Sequence, residues 1–279
     1  HVQETLDGLA AIRASGRTAP EVVLWPENAS DIDPIDNADA AAAIARATDA
    51  AGVAMVVGGL RETRTTLSNV SWLWEPSLGP TAAYVKQHPV PFAEYIPDRA
   101  FWRIFSSEVD LLRRDISPGD GPVLFDVRSS AAGTVHIGPS ICFEVAYDDL
   151  VRRNVELGAN LLLVQTNNAT FGFTAESAQQ LAISRLRAIE HGRAVVHIST
   201  VGVSALILPD GTALSPTALF TPAALEASLP VREGRTLATM VGAWPEYAGL
   251  LALVVLLLLP SRAARPDRQS RPRKEVVPR

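Results

Sequence analysis

A single cysteine, Cys142, stands among the 279 residues of the chain, within the segment GPSICFEVAYDD at 138–149. The residues before it, TVHIGPSI, predict a strand, and those after it, VAYDDLVRRNVEL, predict a helix. A side chain at a strand-to-helix turn lies at the carboxyl end of a sheet, where backbone N–H groups can stabilise an anion. A cysteine nucleophile needs such an environment and a nearby base. Without further evidence, however, a single cysteine is more often an inert core residue than a catalyst.

Two further segments carry ionisable side chains where predicted strands end. LWPEN at 24–28 places Glu27 directly after a buried strand, and YVKQHPVPFAEY at 84–95 places Lys86 at a strand end and Glu94 in the following loop. A carboxylate can act as a general base, and an ammonium group can stabilise an oxyanion. Each residue also has an ordinary interpretation, as a surface cap or a solvated side chain. A chain without a catalytic site would need all of these ordinary interpretations to hold at once.

The elements that must position these residues alternate between strands and helices. Apolar periodicity and glycine stops predict helices at 3–14, 37–51, 146–157 and 176–192, with a short helix near 98–105. Apolar runs predict strands at 21–27, 52–60, 122–127, 134–141, 159–166, 193–200 and 202–214, with a hairpin-like pair in SNVSWLWEP and TAAYVKQHPV. This order indicates an α/β layered domain with a mixed sheet. Stacking of two sheets with helices outside is compatible with it, although periodicity cannot show it.

The C-terminal segment has a different character. Between Leu237 and Pro260 the only charged residue is Glu246, and GLLALVVLLLLP is continuously apolar. A helix from Pro245 to Ala264 would span roughly 30 Å, about one hydrocarbon core. We therefore predict a transmembrane helix within 237–264; the alternative is a buried core helix.

The residues that flank this segment fit the membrane interpretation. Trp244 and Tyr247 lie where an interfacial aromatic belt belongs, and Arg262 and Arg265 could reach the opposite interface. The positive-inside bias then predicts that the basic tail 265–279 is cytoplasmic and that the preceding domain is extracytoplasmic.

Composition limits the possible partners and cofactors. The formal net charge is −5, and residues 261–279 hold seven Lys/Arg against two Asp/Glu, so the rest of the chain is strongly acidic. An acidic body without a basic stripe argues against nucleic acid as a partner. The histidine spacing matches no metal-ligand motif, and we expect neither a metal nor a cofactor.

Several motifs together resemble one known superfamily. They are WPE at 25–27, KQHPVPFAEYIP at 86–97, ICFE at 141–144, NNATFG at 167–172, RLRAIEHGR at 185–193 and GAWP at 242–245. The combination resembles the nitrilase (carbon–nitrogen hydrolase) superfamily, and more closely its actinobacterial-like membrane branch, the apolipoprotein N-acyltransferases. That branch has a bundle of transmembrane helices before this domain, so we expect the present sequence to lack the bundle.

The resemblance implies a fold and a catalytic set. The fold would be a nitrilase-like four-layer α-β-β-α sandwich over 1–236, followed by the C-terminal transmembrane helix. Catalysis would be a ping-pong acyl transfer with Cys142 as nucleophile, Glu27 as general base and Lys86 as oxyanion stabiliser. The supporting residues would be Glu94, Tyr95, Phe143, Glu144 and Asn167.

The resemblance also implies substrates and a location. The acyl donor would be a phospholipid, and the acceptor would be the N-terminal amine of the S-diacylglyceryl-cysteine of a lipoprotein, at the cell membrane in a multi-pass full-length protein. Apolar residues of the 88–120 region could form a lid that dips into the membrane interface, although ordinary packing of a long loop is the alternative: Phe92, Ile96, Phe101, Trp102, Ile104 and Phe105.

Two other functions are compatible with the same residues. One is a nitrilase-like amidase or hydrolase that gives its thioester to water. The other is a non-catalytic membrane scaffold, because related domains occur beside a polyprenol-phosphate mannosyltransferase, which the basic tail could contact.

Overall fold

The computed structural model describes residues 1–259, which contain two β-sheets. The four-stranded sheet has the order β1-β2-β3-β4, and its strands are β1 (Val23–Leu24), β2 (Met55–Glu62), β3 (Leu67–Glu75) and β4 (Gly79–Val85). The six-stranded sheet has the order β10-β9-β8-β7-β6-β5. Its strands are β5 (Phe125–Ser129), β6 (Gly133–Ile141), β7 (Leu161–Asn167), β8 (Ala194–Thr200), β9 (Ala205–Ile207) and β10 (Ala213–Leu214).

Both sheets mix parallel and antiparallel pairs. β6, β7 and β8 are parallel neighbours, so their carboxyl ends lie at one edge of the six-stranded sheet. In the other sheet β1 is parallel to β2, while β2, β3 and β4 form an antiparallel meander. The hairpin predicted from SNVSWLWEP and TAAYVKQHPV is confirmed as the β3–β4 pair.

The inner faces of the two sheets form one apolar core. Val56, Leu73 and Tyr84 from the four-stranded sheet pack in one cluster with Ile137 and Leu163 from the six-stranded sheet. Because side chains alternate along a strand, the neighbours of these residues point to the outer faces. The sequence-based idea of sheet-on-sheet stacking is therefore confirmed.

Helices cover both outer faces and complete four layers. α1 (Val2–Ala14) and α2 (Ala38–Ala51) lie on the four-stranded sheet, where Ile44 packs against Met55. α4 (Asp148–Glu156) and α5 (Glu176–His191) lie on the six-stranded sheet, where Leu150 shares a cluster with Leu162. The predicted α-β-β-α sandwich is thus the observed architecture.

Local signals in the sequence define the ends of two of these helices. The Asn37 side chain caps α2 by accepting a hydrogen bond of 2.9 Å from the N–H of Ala40. Gly192 ends α5 in the left-handed conformation, with φ of 61°, as the sequence predicted. The region 88–120 contains only α3 (Arg99–Trp102) and a 3₁₀ turn at Ser107–Asp110.

The chain divides into two compact units after Met240. α6 (Leu237–Val241) lies at this division, and α7 (Trp244–Leu258) follows it with Pro245 in its first turn. Within residues 1–259, no helix combines the length and apolarity needed to cross a bilayer, so the transmembrane helix predicted for Pro245–Ala264 is not confirmed. The end of that predicted helix and the basic tail 265–279 lie outside the described residues.

Candidate active site

Cys142 lies where the chain leaves the six-stranded sheet. β6 ends at Ile141, a 3₁₀ helix runs from Cys142 to Ala146, and α4 begins at Asp148. Cys142 itself has φ of +57°, in the left-handed region that non-glycine residues seldom adopt. Such a conformation costs on the order of 1–3 kcal/mol and is typical of functional turns. The predicted strand-to-helix turn is confirmed, with a 3₁₀ helix inserted before α4.

Glu27 follows β1 in the other sheet and is only 4% exposed. Nδ2 of Asn69 donates to Oε1 of Glu27 at 2.6 Å, and Oγ1 of Thr200 donates to the backbone carbonyl of Glu27 at 2.9 Å. A Cβ at Gly58 would lie 2.4 Å from the carbonyl oxygen of Pro26 and 2.9 Å from Cα of Glu27. The glycine therefore permits the close approach of β2 that holds this carboxylate inside the protein.

Lys86 comes directly after β4 and is 1% exposed. Its Nζ lies 2.8 Å from the carboxylate of Glu94 and 3.5 Å from Oε1 of Glu27. Its backbone N–H donates to the carbonyl of Asn69 at 2.9 Å, which continues the pairing of the two strands. The structure thus brings together three ionisable residues that the sequence predicted as parts of one site.

Glu144 connects the cysteine turn to the segment that carries the lysine. Its Oε2 accepts from the Tyr84 hydroxyl at 2.8 Å and from the N–H of Ile141 at 2.7 Å. Its Oε1 accepts from the N–H groups of Gln87 at 2.6 Å and His88 at 3.0 Å. Since Ile141 belongs to β6 and Tyr84 to β4, this buried carboxylate sets the position of one sheet against the other at the site.

The charges in this buried cluster determine the resting protonation states. Burial raises the pKa of Glu27, although Lys86 and Asn69 oppose the shift. Burial opposes the charge on Lys86, but Glu27, Cys142 and Glu94 raise its pKa, so it is an ammonium ion. Burial and the charge of Glu27 raise the pKa of Cys142 to about 11. The cysteine is therefore a thiol at rest and needs a base to become a nucleophile.

The remaining predicted residues differ in how directly they meet this cluster. Glu94 accepts from the N–H of Val90 at 2.7 Å while it pairs with Lys86. Asn167 ends β7, and its backbone lowers the pKa of Glu27, against the effect of burial. Phe143 follows the cysteine and is 42% exposed. The backbone carbonyl of Tyr95 accepts from the N–H of Phe92 at 2.7 Å, which closes the turn that contains Glu94.

Sequence reasoning missed three polar residues of the site. Asn69 reaches both Glu27 and Glu94, Tyr84 binds Glu144, and Nε2 of Gln180 donates to Sγ of Cys142 at 3.6 Å. Asn69 and Tyr84 are buried on strands of the meander, and Gln180 is buried on α5. The position of Asn69 within a predicted strand was the available signal, since a polar side chain buried there needs a partner.

Comparison with known proteins defines the class to which this fold and site belong. The carbon–nitrogen hydrolase family matches residues 5–236, which is most of the chain. The chain therefore belongs to the carbon–nitrogen hydrolase family. Among solved structures, an amidase mutant from Nesterenkonia sp. AN1 that carries the result of Michael addition of acrylamide at its active-site cysteine is similar. Its TM-score is 0.55 with 17% sequence identity, over 77% of this chain and 81% of the amidase, which demonstrates a shared fold.

Curated relatives are more specific about the branch of the family. The chain is 40% identical over 265 residues to the apolipoprotein N-acyltransferase of Mycolicibacterium smegmatis, covering 93% of this chain and 43% of that protein. It is 29% identical over 264 residues to the apolipoprotein N-acyltransferase of Photobacterium profundum, covering 90% of this chain and 50% of that protein. The chain thus spans half or less of the length of these relatives, and the resemblance inferred from its motifs is confirmed.

Proposed function

We propose that this chain carries the catalytic domain of an apolipoprotein N-acyltransferase. The observation that carries the proposal is the buried convergence of Glu27, Lys86 and Glu94 beside the strained turn of Cys142. The same combination would serve any thioester chemistry on a carbonyl group. The names of the curated relatives favour acyl transfer to a lipoprotein over hydrolysis.

In the first half-reaction, Sγ of Cys142 attacks the ester carbonyl of a phospholipid acyl chain. Glu27 takes the thiol proton as the S–C bond forms, a role for which its raised pKa suits it. The Lys86 ammonium and the backbone N–H of Phe143, near the start of the 3₁₀ helix, stabilise the tetrahedral oxyanion. The ester C–O bond then breaks, and Glu27 returns the proton to the departing oxygen of the lysophospholipid. Cys142 is left as a thioester.

In the second half-reaction, the N-terminal amine of an S-diacylglyceryl-cysteine attacks this thioester. Glu27 takes a proton from the nitrogen as the N–C bond forms, and the same two donors stabilise the second oxyanion. The C–S bond breaks, the proton passes from Glu27 to the sulfur, and an amide and the free thiol result. One carboxylate therefore serves both halves of the cycle.

The supporting residues position these groups. Glu94 orients Lys86, and Glu144 holds the cysteine turn against the lysine segment. The backbone of Asn167 favours the charged form of Glu27, and Tyr95 closes the turn that begins at Phe92. Neither Tyr95 nor Asn167 is assigned a chemical step.

A membrane location follows from the acyl donor, because a two-chain lipid leaves the bilayer only at a large cost in apolar burial. We propose that a lid consisting of Phe92, Phe101, Trp102, Ile104 and Phe105 contacts the bilayer. These five side chains are exposed, and the ring centroids of Phe101 and Trp102 lie 5.3 Å apart. Ile96, predicted as a sixth member, is instead buried, so it anchors the region to the domain.

The finer topology belongs to the same proposal. It consists of a catalytic domain over 1–236 on the extracytoplasmic face, a membrane-spanning segment within 237–264 and a cytoplasmic basic tail at 265–279. The apolar sequence of Trp244–Leu258 supports the second element. Contact of the tail with a polyprenol-phosphate mannosyltransferase stays a prediction without support among the described residues.

Intact-protein mass spectrometry tests the proposal. Detergent-solubilised protein incubated with phospholipid should gain the mass of one acyl chain, and Cys142→Ala should gain none. A peptide that begins with S-diacylglyceryl-cysteine should discharge the adduct and itself become heavier by one acyl chain. Discharge by water at the same rate with and without the peptide would instead indicate a hydrolase. No adduct on the folded full-length protein would favour the scaffold.

A further inference from the structure

A run of hydrogen bonds connects the backbone at Gly202 to the sulfur of Cys142. The N–H of Gly202 donates to Oγ of Ser199 at 3.1 Å, and this hydroxyl donates to Oδ1 of Asn168 at 2.8 Å. Nδ2 of Asn168 donates to Oε1 of Gln180 at 3.0 Å, and Nε2 of Gln180 donates to Sγ of Cys142 at 3.6 Å. Every bond therefore has its donor on the side of Gly202, and the run ends at the sulfur.

The orientation of the Gln180 amide is fixed by its partners. Oε1 also accepts from Oγ1 of Thr166 at 2.8 Å, so two donors occupy the carbonyl oxygen and the NH₂ group must face Cys142. Thr166, Asn168 and Gln180 are all at most 3% exposed. Turning the Gln180 amide over would place its NH₂ group against Nδ2 of Asn168, so two buried donors would face each other, which is unfavourable.

The side chains that form these hydrogen bonds also restrict the space around Gly202. A Cβ at this position would lie 2.2 Å from Oδ1 of Asn168 and 2.3 Å from Oγ of Ser199. Only glycine lets the backbone N–H approach the serine hydroxyl while the serine keeps its bond to Asn168. The loop after β8 is therefore packed directly onto the polar residues that lead to the sulfur.

We propose that Gln180 is a residue of the catalytic centre whose amide N–H stabilises the Cys142 thiolate as it forms, with Thr166, Asn168 and Ser199 as positioning residues. The inference deepens the proposed function, because it rests on Cys142 being the nucleophile. A hydrogen bond to a charged acceptor is stronger than one to a neutral acceptor, so this donor favours thiolate over thiol. In keeping with that role, the Gln180 hydrogen bond and the charge of Lys86 both lower the pKa of Cys142, against burial and Glu27.

Alkylation of Cys142 by iodoacetamide tests this role without any acyl transfer. Because Cys142 is the only cysteine in the chain, mass spectrometry reports its modification without ambiguity. The alkylation rate is measured between pH 7 and 9.5 on the full chain for the wild type, Gln180→Met and Gln180→Glu. At pH 8, Gln180→Met should react at least about threefold more slowly than the wild type, because a smaller fraction of Cys142 is thiolate. Part of this loss is offset because a thiolate of higher pKa is intrinsically more nucleophilic.

Two further comparisons separate a donor from a packing residue. Gln180→Glu keeps the shape and can still accept from Thr166 and Asn168, but it turns a carboxylate oxygen towards the sulfur, so it should react more slowly than Gln180→Met. Ser199 does not contact the sulfur, so Ser199→Ala should slow alkylation by a smaller factor than Gln180→Met. Gln179→Met, at the exposed neighbouring position, is the matched control and should behave as the wild type.

The proposal is overturned if folded Gln180→Met keeps the wild-type profile, or if Gln180→Met and Gln180→Glu react equally slowly. Thermal unfolding of each variant establishes that it is folded. Because the measurement needs no phospholipid, a chain that fails to transfer acyl groups still gives a result here. A wild-type profile for Gln180→Met would in turn leave the acyltransferase proposal intact.

Discussion

Nζ of Lys86 lies 3.5 Å from Oε1 of Glu27, and both side chains are almost fully withdrawn from solvent. The same ammonium group also faces Glu94 at 2.8 Å, so one buried cation serves two carboxylates. Lys86 thus has a stabilising role besides its proposed contact with the oxyanion. Burial raises the pKa of Glu27, and the charge of Lys86 offsets only part of this shift.

Replacing Lys86 with methionine should strongly destabilise the protein. The variant leaves two carboxylates without their buried cation, and loss of one partner of such a pair costs about 3–5 kcal/mol. The free energy of unfolding, measured in urea at neutral pH, checks this. The double variant Lys86→Met with Glu27→Gln should recover part of the loss, because it removes one uncompensated charge. Equal stability of the single and double variants would contradict the electrostatic explanation.

Replacing Glu27 with glutamine should slow thioester formation by a factor on the order of 10²–10⁴, the usual contribution of a general base. The amide is isosteric but cannot accept the thiol proton, so the cysteine stays a thiol. Single-turnover formation of the acyl adduct, followed by mass spectrometry, measures the rate. Glu156→Gln, on the exposed face of α4, is the matched control and should leave the rate unchanged.

The rate of thioester formation should fall on acidification at a higher pH than an ordinary carboxyl group would cause. Glu27 acts as a base only when ionised, and burial raises its pKa above the usual glutamate value, so its active form is lost as the pH falls through that raised value. The pH dependence of the single-turnover rate gives the midpoint. A midpoint at or below about 4.3, the value for an exposed glutamate, would contradict the burial argument.

Gly58→Ala should impair the site through the backbone. The new methyl group would lie 2.4 Å from the carbonyl of Pro26, so the segment that carries Glu27 must move. Overpacking of this kind costs about 1–3 kcal/mol in stability, and the displaced carboxylate should slow thioester formation as well. Gly121→Ala is the control, because a Cβ there meets no atom within 4 Å. Both variants are compared by urea unfolding and by single-turnover rates.

Replacing Ile104 and Phe105 together with serine should weaken binding to phospholipid vesicles. Both residues belong to the proposed lid and are exposed, at 77% and 69%, and their apolar surface is the proposed contact with lipid. Co-flotation with vesicles measures binding. Leu78→Ser, which alters an equally exposed leucine in the turn between β3 and β4, should bind as the wild type does. If both variants lost a similar fraction of vesicle binding, general surface apolarity would explain the binding and the lid would not.

Much of the fold was predictable because its strands and helices carry strong local signals. The apolar run of β7 and the capped periodic pattern of α5 lie within a few residues of their predicted positions. The division into two sheets was not predictable from periodicity, since an alternating strand does not specify its neighbour. β1 is also shorter than the predicted 21–27, because only Val23–Leu24 pairs with β2 before the chain turns at Pro26.

The ionisable residues of the site were identified from strand ends and motifs, whereas the polar residues around them were not. Gln180 lies on a helix whose pattern reads as ordinary amphipathic sequence, and nothing local distinguishes it from the exposed Gln179. Its role depends on α5 facing the carboxyl end of β6, which is a tertiary property. The positive φ of Cys142 likewise has no sequence signal, because glycine usually occupies such positions.

Glu144 joins the two sheets at the site, and this has a consequence for engineering the protein. The spacing between the strand that leads to Lys86 and the strand that leads to Cys142 is determined by bonds to one carboxylate as well as by the apolar side chains between the sheets. Enlarging or shrinking those side chains near Tyr84 would therefore alter the alignment of the lysine and the cysteine. Changes in the cluster beneath α2, on the far side of the four-stranded sheet, are expected to leave that alignment unchanged.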